Sequence, residues 1–476
     1  MVFDVSVQPG DHRDGRARGQ RALLLATLLL ACGRGGASSP DDAGSSDATV
    51  PEGGVDAAGD APPLVCGNGA WTTYGHDARR TSASDGCVTG PLTQAWRYVP
   101  SAVALADGGV KEVRAVDHAS AQGDAVFLSW GSENFINGQP GGTTQAVDRV
   151  DPATGKMVWS YIPVFGDASF GKWATVGLGG VMFDSDGLYW VDAATGALLH
   201  GYGVDYWGDV LTDSTQAYAN NTMFVDGPPL FVSAYDTMGK QLWQENVAGV
   251  TKRADYDSVG AMALDGGTLF VASRYSFGNQ PGPLVSGLYA FDPATGSERW
   301  LQATQPSSDI AAVDGTVFLA EGTSLVARRE SDGVVVWSVP YATPIGGATG
   351  PVPVVTPALV IVQEKGGVVA RKRGDGSTAW TAPLTPTSDV GVATLHCDTV
   401  LAAALGSDTL VAVDAKIHVF ALSDGRELWS GVPEGLTGVR MTSPVVVGRR
   451  LYVTDRGQVS QLGGTPVGGL VAFDGP

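Results

Sequence analysis

The sequence predicts an all-β chain: an eight-bladed β-propeller with four-stranded antiparallel blades, closed into a ring by an N-terminal strand. Three observations lead there. A hairpin pattern recurs along the chain, its last copy stops before its turn, and the strand missing from that copy stands near the other end. Two half-hairpins at opposite ends of a repeat array point to a ring whose last unit borrows its outer strand from the N-terminal segment.

The hairpin is clearest at Leu288–Trp300. Leu288 to Asp292 alternates like a strand, Pro293 to Gly296 is a turn, and Ser297 to Trp300 is the return strand. Gly296 fills the turn position that needs a positive φ, where a side chain is strained. Arg149 to Trp159 repeats Asp151, Thr154, Gly155 and Trp159, and Trp190 to His200 keeps the turn but ends in His200. Ser233 to Trp243 keeps Gly239 and Trp243, while Ala327 to Trp337 and Ala370 to Trp380 carry Asp332 and Asp375 in place of the Thr. Val419 to Trp429 keeps Asp424, Gly425 and Trp429. Asp and Thr both bond to the turn backbone, so their exchange is mild. Leu470 to Pro476 begins the pattern and breaks off, and Thr93 to Tyr98, centred on Trp96, supplies the missing strand. The units are 37 to 63 residues apart, near the range of propeller blades.

Taken in order, the chain opens with Arg13, Arg16, Arg18 and Arg21, then an apolar run from Ala22 to Ala31, then Cys32. The run is too short to span a bilayer and suits the core of a signal peptide. Leu29-Leu-Ala-Cys32 resembles a bacterial lipobox, so residues 1–32 are expected to be a lipoprotein signal with Cys32 as the lipidated mature terminus. Residues 33–65 are rich in Gly, Ser, Ala, Asp and Pro with few aliphatic residues, the composition of a disordered acidic linker. Residues 66–476 form the propeller. Cys66 and Cys87 are expected to be joined, since export permits a disulfide, and to pin the segment leading to the closing strand. Cys397 is left as a buried free thiol in a strand pattern.

Second strands of blades are read at Asp124 to Trp130, Gly266 to Ala272, Gly315 to Ala320, Pro357 to Val362 and Arg449 to Thr454. Long loops are expected between second and third strands at Gly131 to Gln145, Arg274 to Gly287 and Arg456 to Gly469. Long links between blades are expected at Tyr161 to Thr175 and Gly201 to Asn221. In a four-stranded meander both loop types emerge on one face of the ring, and loops on a rigid scaffold commonly carry function. No long helical period is present.

The repeated Ala-x-Asp-x-x-Thr-Gly-x-x-x-Trp resembles the quinoprotein-type, pyrroloquinoline-quinone-like repeat of β-propellers, over about Trp71 to Pro476. The resemblance implies that Trp96, Trp159, Trp243, Trp300, Trp337, Trp380 and Trp429 dock between neighbouring blades against backbone near the turn Gly. His200 departs from it, which implies a weaker contact after the second blade. Within the family, the lipid-anchor pattern and the missing catalytic residues are similar to the propeller subunit of the outer-membrane β-barrel assembly machinery. The acidic linker and the inserted loops depart from that subunit.

The quinone dehydrogenases of this superfamily use two adjacent, disulfide-linked Cys residues, a calcium site of Glu, Asn and Asp, and a carboxylate base. The four Cys here, Cys32, Cys66, Cys87 and Cys397, include no adjacent pair and no haem attachment motif. Asp184-Ser-Asp186-Gly187 lacks the remaining ligands of a calcium loop and reads as a surface turn. The six His have no zinc spacing, and His76 beside Asp77 has no nucleophile pattern to serve. A net charge of −19 without a basic stripe argues against nucleic acid. The expectation is therefore no catalytic residues, no metal and no cofactor. The candidate binding platform is aromatic: Tyr161, Phe165, Phe170, Trp173, Tyr202, Tyr206 and Trp207, with Asp205 and Asp209 among them. These residues either bind a partner or fold over and plug the ring.

The sequence thus reads as a non-catalytic, lipid-anchored envelope scaffold or binding module, with an envelope protein as partner and outer-membrane protein assembly as its setting. The alternatives are a degenerate quinone-dependent dehydrogenase and a propeller that takes a small ligand or carbohydrate on the long-loop face.

Overall fold

The computed structural model describes residues 65–101, 103–104, 110–136, 139–163, 174–184, 187–202, 209–220, 231–247, 257–275, 287–342, 352–364, 366–384, 400–413, 416–432, 441–455 and 468–476. Their strands form eight sheets, the blades, each built on an antiparallel meander; only the seventh and eighth take a strand from the N-terminal side, which in the seventh runs parallel. The first strands of blades 1 to 8 are Val110–Gln122, Thr175–Gly177, Val210–Thr212, Asp257–Asp265, Ala311–Val313, Val354–Val355, Val400–Ala404 and Met441–Val447. Each first strand lies beside the next, and the eighth lies beside the first, so the array is a closed eight-bladed propeller with the first strands innermost.

Why these residues make blades is visible in their burial. Val317, Phe318, Leu319 and Ala320 of one second strand are each 0–1% exposed, because a blade stacks on a neighbour at both faces. A strand covered on both faces reads as a continuous apolar run. The fourth strands lie at the rim and are only half covered, as in Val335–Pro340, where Trp337 is buried among exposed neighbours.

The eighth blade is closed from the N-terminal side, as the sequence predicts. Thr93–Tyr98 pairs antiparallel with Gly469–Asp474, with Thr93 opposite Asp474, Trp96 opposite Ala472 and Tyr98 opposite Leu470. Polar contacts reinforce this seam with blade 1. Tyr98 donates its hydroxyl to Asp148 Oδ2 at 2.7 Å, and burial pushes the Asp148 carboxyl above the usual carboxylate range. Arg450 grips Asp474 with two bonds of 2.6 and 2.9 Å and also donates to the Pro152 carbonyl of blade 1.

The four-stranded blades are as expected, with one short strand added to each of two: Val103–Ala104 pairs with the first strand of blade 1, and Ala83–Ser84 runs parallel to the first strand of blade 7. Two local expectations are corrected. Gly131 to Gln145 is mostly strand, since Ala125–Ile136 and Gln139–Val150 form a hairpin much longer than the usual five or six residues. Gly and Pro in that stretch mimic a loop, but backbone pairing overrides the composition. Gly201 to Asn221 contains the first two strands of blade 3, Val210–Thr212 and Gln216–Asn220. Most of Arg274 to Gly287, Arg456 to Gly469 and Tyr161 to Thr175 lies outside the described residues. Among the described residues the one helical element is the short 3-10 turn Leu405–Ser407, and no helix is long and apolar enough to cross a membrane.

Candidate functional site

Two sets of residues decide what this ring can do: the aromatic belt between blades and the segment at its axis. The belt begins in the turns. Asp151 Oδ1 accepts from Ala153 N, Thr154 N and Thr154 Oγ1, which fixes a turn that ends in Gly155 at φ 69°. Asp192 and Asp292 do the same in blades 2 and 4. Each such Gly carries the ring of the preceding blade. A Cβ on Gly155 would meet Trp96 at 2.6 Å, and one on Gly196 would meet Trp159 at 2.7 Å. Gly296 faces Trp243, Gly333 faces Trp300, Gly376 faces Trp337 and Gly425 faces Trp380 in the same way. The indole N–H groups donate across the seam: Trp96 to Pro152 O at 2.8 Å, Trp243 to Pro293 O at 2.9 Å, Trp300 to Glu330 O at 2.8 Å and Trp380 to Leu422 O at 2.8 Å. Trp159 and Trp337 donate likewise to Ala193 O and Arg373 O. Trp429, whose following blade is closed by the N-terminal segment, rests on Gly90 of that segment. These seven rings hold blade to blade.

At the second seam His200 lies over Gly239, and the Tyr202 hydroxyl donates to the Gly239 carbonyl. Tyr202 also packs on Tyr235 with ring centroids 5.1 Å apart. The pair His200 and Tyr202 thus does the work of one Trp. Tyr161 packs against Phe183 and Tyr189, with centroids at 6.1 and 6.2 Å. Of the seven platform aromatics, these two are engaged in blade packing, and Phe165, Phe170, Trp173, Tyr206 and Trp207 lie outside the described residues together with Asp205, Cys32 and Cys397.

The axis holds what sequence reasoning missed. Residues 71–87 pass along the innermost strands and touch every blade in order. Trp71 and Ala121 of blade 1 exchange two backbone bonds of 2.7 Å. Val176 of blade 2 donates to the Thr72 carbonyl, Leu264 of blade 4 to Ala78, Ala312 of blade 5 to Arg79, Val355 of blade 6 to Thr81 and Ala403 of blade 7 to Ser82, all at 2.7–2.9 Å. Thr73 Oγ1 bonds to Thr175 Oγ1 at 2.8 Å and reaches the Val210 carbonyl of blade 3. Cys87 N then donates to Gly448 O in blade 8 at 2.7 Å. The segment is a collar around the axis, on the side of the turns between first and second strands. Cys66, five residues before the segment, and Cys87, its last residue, are joined in a disulfide with Cα atoms 5.3 Å apart, so the collar is closed from Cys66 to Cys87.

The fully buried charge of the collar is paired within the fold. Arg80 is fully buried, with a side-chain exposure of 0%, and reaches Asp209 Oδ2 at 2.5 Å and the Tyr74 carbonyl at 2.7 Å. Asp209 also accepts from Met262 N at 3.2 Å, so one carboxylate ties the collar to blades 3 and 4. Tyr74 lies under the Arg80 guanidinium at 5.7 Å and edge-on to His118. Burial lowers the pKa of His76, which keeps that imidazole neutral near pH 7.

A family model described as "Outer membrane protein assembly factor BamB" matches residues 285–464. None of the curated proteins matches the sequence at a significant level. Among solved structures, the chain is similar to a quinohemoprotein alcohol dehydrogenase from Comamonas testosteroni, with TM-score 0.61, 14% identity, and 86% of this chain and 81% of that chain covered. It is similar to a europium-containing methanol dehydrogenase with TM-score 0.60, 12% identity and coverage of 86% and 98%. BamB from Moraxella catarrhalis aligns at TM-score 0.37 and 14% identity over 81% and 98% of the two chains.

The neighbours in fold include quinohemoprotein dehydrogenases, which makes a quinone the cofactor to compare with the residues present. The sequence has no adjacent cysteines, and the disulfide among the described residues joins positions separated by 21. No group of three or more His, Cys, Asp or Glu among the described residues has metal-holding geometry. The axial carboxylate Asp209 is paired with Arg80. These residues do not fit a quinone–calcium group. Repeat, ring and match together show an eight-bladed propeller that is similar to the pyrroloquinoline-quinone-like repeat family, to the assembly factor BamB over residues 285–464 and, in fold, to quinoprotein dehydrogenases.

Proposed function

We propose that this protein is a non-catalytic envelope lipoprotein whose propeller serves as a scaffold for an envelope protein partner in outer-membrane protein assembly. One observation carries the reading. The chain's own residues 71–87 line the collar side of the axis, and the charged pair there, Arg80 and Asp209, is bonded to itself within the fold. A dehydrogenase of this fold needs an axial site with free carboxylates and a covered quinone. The matched assembly-factor model supports the same reading. Export and anchoring through Cys32, with residues 33–65 as tether, place the ring at the face of a membrane and not within it. The partner binds on the face that carries the long connections, opposite the collar.

The test is purification of the tagged protein from its native envelope after chemical cross-linking, with partners identified by mass spectrometry. Outer-membrane assembly proteins recovered in stoichiometric amounts support the proposal. Recovery of the propeller alone, together with dye-linked alcohol oxidation after addition of quinone and calcium, overturns it.

A further inference from the structure

The collar is a covalent loop. Its ends meet at blade 8: Gly67 N donates to Asp85 O at 2.9 Å, Cys87 N to Gly448 O at 2.7 Å, and the Cys66–Cys87 disulfide closes the circle between them. From Trp71 on, the backbone between those cysteines follows the innermost strands, and besides Ala121 of blade 1 five further blades donate a first-strand amide to a collar carbonyl. In blades 2 to 7 the axial edge of the innermost strand meets no strand outside the collar, so the collar is what covers that edge. Three non-glycine residues of the collar, His76, Arg80 and Ser82, take positive φ values of 86°, 62° and 50°. Such conformations persist only when the surroundings impose them.

We propose that the Cys66–Cys87 disulfide is a redox latch that holds the collar on the ring, and that its reduction lets residues 66–84 leave the axis by local opening while the blades stay folded. In the oxidised form, opening releases a closed loop of about twenty residues with little freedom to gain. In the reduced form the same segment is a tail attached only at its Cys87 end, and opening gains far more conformational freedom. Cys66 is partly exposed and Cys87 is buried at 4%. The thiolate of a small dithiol therefore attacks the Cys66 sulfur, and Cys87 departs as thiolate and takes up a proton. The second thiol of the reagent then releases Cys66. The protein disulfide gains two electrons and two protons, and the dithiol becomes a disulfide. Opening bares the amides of Val176, Leu264, Ala312, Val355 and Ala403 at the axis, a set of strand edges that the oxidised protein keeps covered.

The experiment is hydrogen exchange by mass spectrometry on the full mature chain, oxidised and after treatment with dithiothreitol. The double variant Cys66→Ser/Cys87→Ser is run beside them, because it needs no reductant and leaves no partner for Cys397. Expected is exchange on the order of a hundredfold faster at the five collar-bonded amides in the reduced and double-variant proteins. Third-strand amides that pair within their own blades, such as those of Ala290, Ala327 and Ala370, should be unchanged. Equal protection of the five amides in oxidised and reduced protein overturns the latch. So does a parallel loss of protection at the third-strand amides, which would make the disulfide a general support of the fold.

Discussion

Truncation after Gly469 removes the strand on which ring closure depends. Gly469–Asp474 is the third strand of blade 8, held between Arg450–Asp455 on one side and the N-terminal Thr93–Tyr98 on the other. Leu470, Val471 and Phe473 are each at most 1% exposed. At about 1.5–3 kcal/mol for full burial of each large apolar side chain, the deletion forfeits about 5–9 kcal/mol before any backbone bond is considered. Both ladders are lost as well, and Trp96 and Tyr98 lose the strand that presents them to blade 1. Against a net stability of about 5–15 kcal/mol, a cooperative native ring is not expected to survive. The milder companion is Trp96→Ala. It removes a partly buried indole and its bond to Pro152 O, at the lower end of the roughly 3–5 kcal/mol typical of large aromatics. Urea unfolding followed by circular dichroism measures both, and the truncated chain should also aggregate through its open strand edges. If the truncation unfolds at the urea midpoint of the full chain, the two ends do not share a blade and the closure argument is wrong.

Three further outcomes are expected. Glu330, buried beside Asp265 at the seam of blades 4 and 5, has its carboxyl pushed up to about 8, first by desolvation and then by Asp265. A raised acid pKa means that the native state holds the extra proton, so this stability is complete below the ordinary carboxylate range and is lost as pH rises through 8. The melting temperature should fall between pH 6 and pH 9, and Glu330→Gln should flatten that fall; an unchanged slope in the variant removes Glu330 as its source. Arg80→Ala leaves Asp209 without its partner and should cost about 3–5 kcal/mol, read as a lower denaturation midpoint. Finally, Cys32→Ala should move the protein from the membrane to the soluble fraction, and equal membrane binding of variant and parent would exclude the lipid anchor.

The blades were legible because each repeats a local device. An Asp that closes its own turn, a Gly at positive φ and a Trp four residues on act within about a dozen residues, so the sequence displays them directly. Closure was legible for the same reason, since Leu470 to Asp474 and Thr93 to Tyr98 are two halves of that device. The collar was hidden because its bonds are singular and distant, one or two per blade, with partners such as Thr73 and Val210 separated by 137 residues. Of its bends only the first carries a Gly signal, Gly75 beside His76, and those at Arg80 and Ser82 carry none. Blade 3 was obscured because its first strand, Val210–Thr212, is too short to show alternation. Tyr202 drew attention as an aromatic in a link, whereas its hydroxyl compensates for a Trp that the second blade lacks. That compensation is visible only once His200 and Gly239 are seen together.

Under the proposed function this ring has the fold of its quinoprotein neighbours and takes up no quinone. Calorimetric titration of the folded, mature protein with pyrroloquinoline quinone in the presence of calcium, with quinone absorbance read in parallel, tests it most directly. No saturable heat and an unshifted quinone spectrum are the predicted result. Stoichiometric, tight uptake with a shifted spectrum would contradict it and make the protein a quinone enzyme.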